Sequence, residues 1–460
     1  MRIGQNCESF GRNGAIREST WTENAFVNKK IRNLVLILAA LIMVFLSVML
    51  GDGKSNEVNK SESLPNSANA AGRELEDTVV TTESDGEVIL GDTLYDAATA
   101  TDADATEETG VSPEVQKYLD DMTDEEKVAQ LFVVTPDALT GIEAVNQAGD
   151  GTKEAIDKTP VGGIIYMSDN LQATTQTKEM LANTNQYSKD RVGLPMFLCV
   201  DEEGGTVARI AGSGRFDVTN VGNMSDIGAT GTVEDAREVG ETIGTYMAEL
   251  GFNVDFAPVA DVLTNQENSI VKYRSFGSDV DVCSRMSIAV AEGLNSKGIE
   301  ATYKHFPGHG ATAGDTHLGA AFTTKTIDEL KEQELVPFQD AIDNGARFIM
   351  VSHISAPNIT GHDTPASLSK EIVTDLLRND MGYDGIVVTD AMEMGAISTK
   401  YKSDEAAVMS IQAGADMILM PEDFELAYNG VLEAVKSGEI SEERLNESVA
   451  RIIEIKLQMK

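Results

Sequence analysis

The feature that most constrains the fold is a series of eight apolar runs of strand length that alternate with amphipathic helical stretches. The runs are Ala129–Val134, Gly163–Met167, Met196–Asp201, Asn253–Pro258, Glu300–His305, Phe348–His353, Gly385–Asp390 and Asp416–Met420. Helical patterns among and after them include Glu234–Leu250, Ile327–Asn344, Asp404–Ala413 and Ser441–Met459. Strands buried on both faces and separated by helices are typical of parallel sheets. Eight of them predict an α/β fold, a TIM-like (β/α)8 barrel that forms a single catalytic domain over residues 113–460.

The alternative architecture is an open, doubly wound parallel sheet. Such a sheet usually carries a glycine-rich phosphate-binding turn after its first strand. Here the first strand is followed by Thr135-Pro136-Asp137 instead, which favours the closed barrel.

Titratable residues stand at or beside the ends of five consecutive predicted strands. They are Asp201, Asp255, His305, His353 and Asp390. A single one would be explained as a helix cap, but barrel enzymes place their chemistry at the C-terminal ends of the strands. We therefore expect an active site at this rim.

The N-terminal part of the chain predicts membrane attachment. Leu34–Leu50 is an uncharged apolar run at the short end of the ~17–25 residues that cross a bilayer as a helix. Basic residues precede it, so we expect a cytoplasmic tail over 1–30, a transmembrane anchor over 31–50 and an extracellular catalytic domain on the cell membrane. The alternative is a cleaved signal peptide and a secreted enzyme, but no small-x-small cleavage site follows the run at once.

The segment 51–112 predicts a disordered acidic linker. It holds 15 acidic and 3 basic side chains and one aromatic residue, so it cannot bury enough apolar surface to offset its ordering entropy.

The whole chain has a formal charge of −39 and three cysteines. This charge argues against nucleic-acid binding, and three cysteines cannot form a disulfide framework.

The residue types at the rim restrict the chemistry. His305, His309 and His317 do not share one helix, because Pro307 and three glycines interrupt their spacing, so we predict no metal and no cofactor. The Gly-x-Ser-x-Gly elbow of Ser-His-Asp hydrolases is absent from the sequence.

A glycosidase needs a carboxylate nucleophile and a second acid/base group, and Asp390 suits the first role. Its alternative is a helix N-cap, with Glu393 at the capping-box position.

Several motifs resemble those of glycoside hydrolase family 3, in particular its bacterial single-domain β-N-acetylglucosaminidases. Lys304–Gly310 reads KHFPGHG and is followed by GDTH at Gly314–His317. Further blocks are Asp201–Arg209 (DEEGGTVAR), Arg274–Gly277 (RSFG) and Val388–Met392 (VTDAM), in the family's order. The resemblance covers about residues 113–460. Three residues depart from the family's pattern: Glu202, where the block usually has Gln, Thr206, where it usually has Arg, and Thr316, where many relatives have Ser.

The resemblance implies a retaining mechanism. Asp390 matches the nucleophile, His317 the acid/base, and Asp315 the residue that orients and charges that histidine. The matches to sugar-binding positions are Asp201, Arg209, Arg274, Lys304 and His305. An imidazole suits the double role, since its ordinary pKa of about 6.5 lets it give and take a proton near neutrality. Arg209 could instead pair with Glu202 or Glu203, and Lys304 and His305 could point in opposite directions from their strand.

The leading hypothesis is an exo-β-N-acetylglucosaminidase that acts outside the cell on peptidoglycan fragments or other β-linked amino sugars. The partners expected are therefore a carbohydrate substrate and, through the N-terminal helix, a membrane. One alternative is phosphorolysis at the same site, because a neutral histidine tolerates an anionic acceptor better than a carboxylate would. Another is a catalytically inactive cell-surface sugar-binding protein, against which the intact Asp315, His317 and Asp390 argue.

Overall fold

A computed structural model describes residues 111–459 of the chain, except positions 313, 315, 317 and 318. The eight barrel strands are β1 (Phe132–Val134), β2 (Gly163–Ile165), β3 (Phe197–Val200), β6 (Val254–Asp255), β7 (Glu300–Phe306), β8 (Phe348–Val351), β9 (Ile386–Thr389) and β10 (Ile418–Leu419). A separate antiparallel hairpin, β4 (Glu202–Gly204) and β5 (Val207–Ala208), follows β3.

The barrel strands are all parallel and lie in the order β10-β1-β2-β3-β6-β7-β8-β9. Phe132 is in register with Ile418 at one seam, and Met350 with Val388 at another. A parallel bridge between Val388 and Met417 joins β9 to the start of β10 and closes the ring. The predicted (β/α)8 barrel is confirmed, and the open-sheet alternative is wrong.

Helices surround the strands. Those before and around the first half of the barrel are α1 (Pro113–Asp121), α2 (Asp124–Gln130), α3 (Pro136–Thr140), α4 (Asp150–Lys158), α5 (Thr174–Val192), α6 (Met224–Thr230), α7 (Val233–Leu250) and α8 (Val280–Ser296). The rest are α9 (Ile327–Glu332), α10 (Val336–Asp343), α11 (Pro357–Thr360), the π-helical α12 (Glu371–Asp380), α13 (Gly395–Ser398), α14 (Ser403–Ala413), α15 (Phe424–Ser437) and α16 (Glu442–Gln458). Reciprocal capping boxes start α2, α7 and α9, so local sequence fixes where these helices begin.

Seven of the eight predicted strands are longer than the observed ones, and two differences from the predicted boundaries have local causes. Ala129 belongs to the end of α2 and not to the first strand, which begins at Phe132. The predicted helix Ile327–Asn344 is two helices, because Pro337 has no N–H to donate to the carbonyl of Gln333. The break lets Glu334 turn inward, where it is fully buried and pairs with Lys325.

The N-terminal end of the barrel is filled by side chains and covered by the last helix. Phe197 and Phe348 meet edge to face, with their ring centroids 5.4 Å apart. Lys456 of α16 is fully buried, with its Nζ 4.9 Å from the centroid of the Phe197 ring. The same Nζ donates to Oε1 of Gln130 over 2.7 Å, which ties α16 to the segment entering β1.

Within residues 111–459, the four omitted loop positions aside, no helix is both long and apolar enough to cross a bilayer. The predicted anchor at 31–50 and the predicted linker up to residue 110 lie outside the described residues.

Candidate active site

A cavity of about 420 Å³ opens at the C-terminal ends of the strands. Six of the eight predicted site residues line it together: Asp201, Arg209, Arg274, Lys304, His305 and Asp390. The other two, Asp315 and His317, lie outside the described residues, and Thr316 between them lines the cavity. The six predicted residues that the structure describes therefore meet in one cavity at this rim.

Asp390 directly follows β9, and its backbone N–H donates to Val351 O over 2.8 Å. Its Oδ1 accepts from the N–H of Ala391, also over 2.8 Å. The helix N-cap alternative is wrong: the chain runs past the end of β10, where Glu393 N–H donates to Met420 O, and α13 begins only at Gly395. Burial would raise the pKa of Asp390, but the electrostatic influence of His305, His353 and Lys304 and the hydrogen bond from the Ala391 N–H hold it below its ordinary value. Asp390 is thus an ionised carboxylate facing the cavity.

A network of buried charges forms the inner wall of the cavity. Lys304 Nζ lies 2.8 Å from Asp201 Oδ1 and 2.7 Å from Glu203 Oε1. Arg274 donates to both oxygens of Glu203, from Nε and from a terminal nitrogen, each over 2.7 Å. Burial would raise the pKa of Glu203, but the charges of Arg274 and Lys304 lower it far below its ordinary value. The carboxylates in turn raise the pKa values of Lys304 and Arg274 against the opposing effect of burial. Glu203, Lys304 and Arg274 are therefore charged.

The orientation of His305 follows from its two partners. Arg274 can only donate, so His305 Nε2, 3.1 Å from the Arg274 guanidinium, is the acceptor. His305 Nδ1 then carries the proton and donates to Asp261 Oδ2 over 2.7 Å. Burial opposes ionisation of Asp261, but the electrostatic influence of the His305 and His309 rings and the hydrogen bonds from His305 Nδ1 and the His309 N–H lower its pKa.

Lys304 and His305 both line the cavity, so the expectation that they point in opposite directions is wrong. The pairing of β7 with β8 shifts in register between Tyr303 and Phe306. Such an irregularity interrupts the strict alternation of side chains along a strand. Two consecutive residues can then serve one site.

Arg209 stands closer to solvent than the other cations. A terminal nitrogen of its guanidinium lies 3.8 Å from Asp201 Oδ2, and its buried Nε has no partner among the described residues. The alternative pairing with Glu202 or Glu203 is not found. Glu202 accepts from the backbone N–H groups of Ile210 and Ala211 and from the Tyr246 hydroxyl.

The structure adds four cavity or support residues to which the sequence assigned no role in the site: Glu203, Asp261, His309 and Glu393. His309 is buried, and its ring lies 5.8 Å from that of His305. Asp255, which the strand-end argument included, is instead fully buried and accepts from the Glu202 N–H. Asp261 stands six residues beyond Asp255 and outside any predicted strand, so only proximity in the fold reveals it. Glu203 had a signal, since it lies inside the Asp201–Arg209 block.

No cluster of three His, Cys, Asp or Glu side chains suited to a metal occurs among the described residues. The two ring nitrogens of His305 are both engaged with Asp261 and Arg274. The cysteines at 199 and 283 are buried free thiols. The chemistry available at the described site is that of carboxylates, imidazoles and fixed cations.

Comparison with known proteins identifies a family and several relatives named β-hexosaminidase. The model of the glycosyl hydrolase family 3 N-terminal domain matches residues 123–455. β-Hexosaminidase A of Pseudoalteromonas piscicida is 34% identical over 333 residues, which are 66% of this chain and 55% of that protein. A β-hexosaminidase of Mycobacterium tuberculosis is 34% identical over 343 residues, covering 72% of this chain and 82% of the relative.

A solved structure extends the likeness to three dimensions. The family 3 β-N-acetylglucosaminidase of a Paenibacillus species superposes with a TM-score of 0.69 at 36% identity, covering 74% of this chain and 63% of that one. The chain therefore spans little more than half of the Pseudoalteromonas relative and most of the mycobacterial one.

Proposed function

Because the chain belongs to glycosyl hydrolase family 3, we propose that it is a retaining exo-β-N-acetylglucosaminidase. It would remove terminal β-linked N-acetylhexosamine from peptidoglycan fragments or related amino-sugar glycans. The observation that carries the proposal is the ionised carboxylate of Asp390 in a cavity whose inner wall is a network of paired charges. The relatives named β-hexosaminidase support the choice of sugar.

In the first step Asp390 attacks the anomeric carbon and the bond from that carbon to the leaving oxygen breaks. The leaving oxygen takes a proton from the imidazolium of His317, the acid/base that the family resemblance implies, which leaves His317 neutral. Asp315 orients that ring and stabilises its protonated form before the transfer. In the second step the neutral His317 takes a proton from water, whose oxygen displaces Asp390 from the anomeric carbon. Two displacements return the original anomeric configuration.

The inner wall supplies the sugar contacts in this proposal. Asp201 accepts hydrogen bonds from sugar hydroxyl groups, and the partly exposed Arg209 donates from the terminal nitrogens of its guanidinium, one of which lies 3.8 Å from Asp201 Oδ2. Lys304 and His305 lie deeper and are fixed by Asp201, Glu203 and Asp261. Groups held by their own partners in this way present a preorganised site to the substrate.

The experiment uses the soluble part of the chain from residue 113 and p-nitrophenyl β-N-acetylglucosaminide. Release of p-nitrophenol, lost on Asp390→Asn, is the expected result; turnover that survives both Asp390→Asn and His317→Ala contradicts the proposal. Assays with and without phosphate separate hydrolysis from phosphorolysis, which yields the sugar 1-phosphate. Absence of turnover with every β-N-acetylhexosaminide tested would leave a sugar-binding protein.

We also propose that the enzyme is held on the outer face of the cell membrane by residues 31–50. The uncharged apolar run and the basic residues before it support this placement. Cell fractionation tests the membrane association, and protease treatment of intact cells tests the side: cleavage between residues 51 and 112 should release the active domain.

A further inference from the structure

One carboxylate of the cavity takes no part in the charge network. Glu393 lines the cavity, is exposed, and forms no side-chain hydrogen bond or ion pair with any described residue. Partial loss of contact with water and, to a smaller extent, the neighbouring carboxylate of Glu422 raise the pKa of Glu393. The two come together because the chain after Asp390 runs along the end of β10, with Glu393 N–H bonded to Met420 O.

The other charges that line the cavity are balanced. Asp201 and Glu203 share Lys304, Glu203 also holds Arg274, and Arg209 faces Asp201. Asp390 is under the influence of His305, His353 and Lys304. Among the described residues, the unbalanced charge at the cavity is therefore the negative charge of Glu393.

Exposure indicates the depth of each charged group. The side chains of Glu203 and Lys304 are 2% and 3% exposed and form the inner wall, whereas Glu393 is exposed and stands at the mouth. An enzyme that removes a terminal sugar binds that sugar at the inner wall. The leaving group then extends through the mouth, past Glu393.

We propose that Glu393 determines specificity for the leaving group, favouring β-N-acetylglucosaminides whose leaving group is neutral or cationic over those whose leaving group carries a carboxylate. The inference rests on the proposed function and refines it. The enzyme would then prefer chito-oligosaccharides and partly deacetylated glycans as substrates over conjugates of N-acetylmuramic acid. A like charge facing a substrate charge across a partly desolvated cavity disfavours binding, and salt screens the effect.

The test compares three disaccharides with N-acetylglucosamine at the non-reducing end. Their reducing sugars are N-acetylglucosamine (neutral), glucosamine (cationic) and N-acetylmuramic acid (anionic). The readout is the ratio of kcat/KM for the anionic to the neutral substrate, at low salt and neutral pH. We expect the wild type to prefer the neutral and cationic substrates, and Glu393→Gln to raise the ratio about fivefold, the effect of one charge at moderate screening. Raising the salt concentration should narrow the wild-type preference.

Glu425→Gln is the matched control, since Glu425 is exposed and does not line the cavity, and it should leave the ratio within about twofold, as for a screened surface charge. An unchanged ratio in Glu393→Gln, or a wild type that prefers the anionic disaccharide, overturns the inference while leaving the glycosidase assignment intact. Failure to hydrolyse any of the three and the p-nitrophenyl substrate overturns both.

Discussion

Arg274 and Glu203 form a two-point ion pair, with Nε to Oε2 and a terminal nitrogen to Oε1 both at 2.7 Å. Lys304 shares the same carboxylate. We expect Glu203→Gln to lower kcat/KM for the p-nitrophenyl substrate by about 100-fold or more, and to destabilise the fold by about 3–5 kcal/mol, because a neutral amide leaves two buried cations poorly compensated. Steady-state kinetics and urea unfolding measure the two effects.

Glu126→Gln provides the control for that substitution. Glu126 pairs with Arg191 away from the cavity, and both side chains are partly exposed. The cost to stability should be about 1 kcal/mol or less, as for other surface ion pairs. Equal losses in the two variants would show that the Glu203 pair has no special part in the site.

The two arginines of the site should separate kinetically. Arg209→Ala should raise KM about tenfold with little change in Tm, because its guanidinium is only loosely paired and would donate to substrate. Arg274→Ala should lower Tm as well, because it leaves the buried Glu203 with one cation in place of two. Thermal unfolding and steady-state kinetics of both variants measure these effects. A loss of Tm in Arg209→Ala equal to that in Arg274→Ala would contradict the role of Arg209 as a substrate-binding rather than a structural residue.

Asp390 and His317 should respond differently to the leaving group. p-Nitrophenolate departs without protonation, whereas a sugar alkoxide needs an acid. His317→Ala should therefore be impaired more, by about 100-fold, with chitobiose than with the p-nitrophenyl substrate, and Asp390→Asn should be severely impaired with both. Comparable losses for His317→Ala on the two substrates would argue against its role as the acid.

His309 predicts a pH-dependent stability. Burial lowers its pKa to about 4, whereas the unfolded chain binds that proton near pH 6.5. Unfolding therefore takes up a proton between these values, and stability falls as the pH drops from 6.5 to 4, by about 3 kcal/mol in total. Urea unfolding of His309→Asn should show a shallower pH dependence than wild type over this window; a parallel profile would refute the prediction.

Lys456 gives a second pH dependence, at the other end of the barrel. Burial lowers its pKa to about 7, against an ordinary value near 10.5. Stability should fall as the pH drops from 10.5 toward 7, since only the unfolded chain is protonated there. As the pH falls across that range, the free energy of unfolding of Lys456→Met should rise relative to that of the wild type, by up to about 4 kcal/mol. The test is the difference in unfolding free energy between the variant and the wild type, measured at pH 7 and at pH 9.5. The same difference at both pH values would count against a neutral buried lysine.

Much of the fold was predictable because a strand that is buried on both faces is a continuous run of apolar residues in the sequence. All eight strands occur where apolar runs predicted them, and helices such as α7 and α16 start within one residue of the predicted position. The boundary errors have local causes. Capping at Thr123 starts α2, which includes Ala129, and Pro337 divides one amphipathic pattern into two helices.

The site was predictable as far as single residues carry their own signal. Asp390 and Lys304 stand at strand ends within recognisable motifs. Asp261 and Glu393 have no such signal: the first acts through its contact with His305, and the second matters because the chain leaves it without a partner at the mouth. Pairing between residues far apart in sequence is a property of the closed barrel, and neither periodicity nor spacing encodes it.

The contact between α16 and the segment entering β1 has a practical consequence. Helix α1 packs on α16, and Lys456 meets Gln130 at the N-terminal end of the strands, whereas the cavity opens at their C-terminal end. The polypeptide thus enters the barrel on the side away from its catalytic opening. Coupling this domain to a bead, resin or fusion partner ahead of residue 111 should leave the opening accessible to bulky glycans, whereas coupling through the loops that follow the strands would obstruct it.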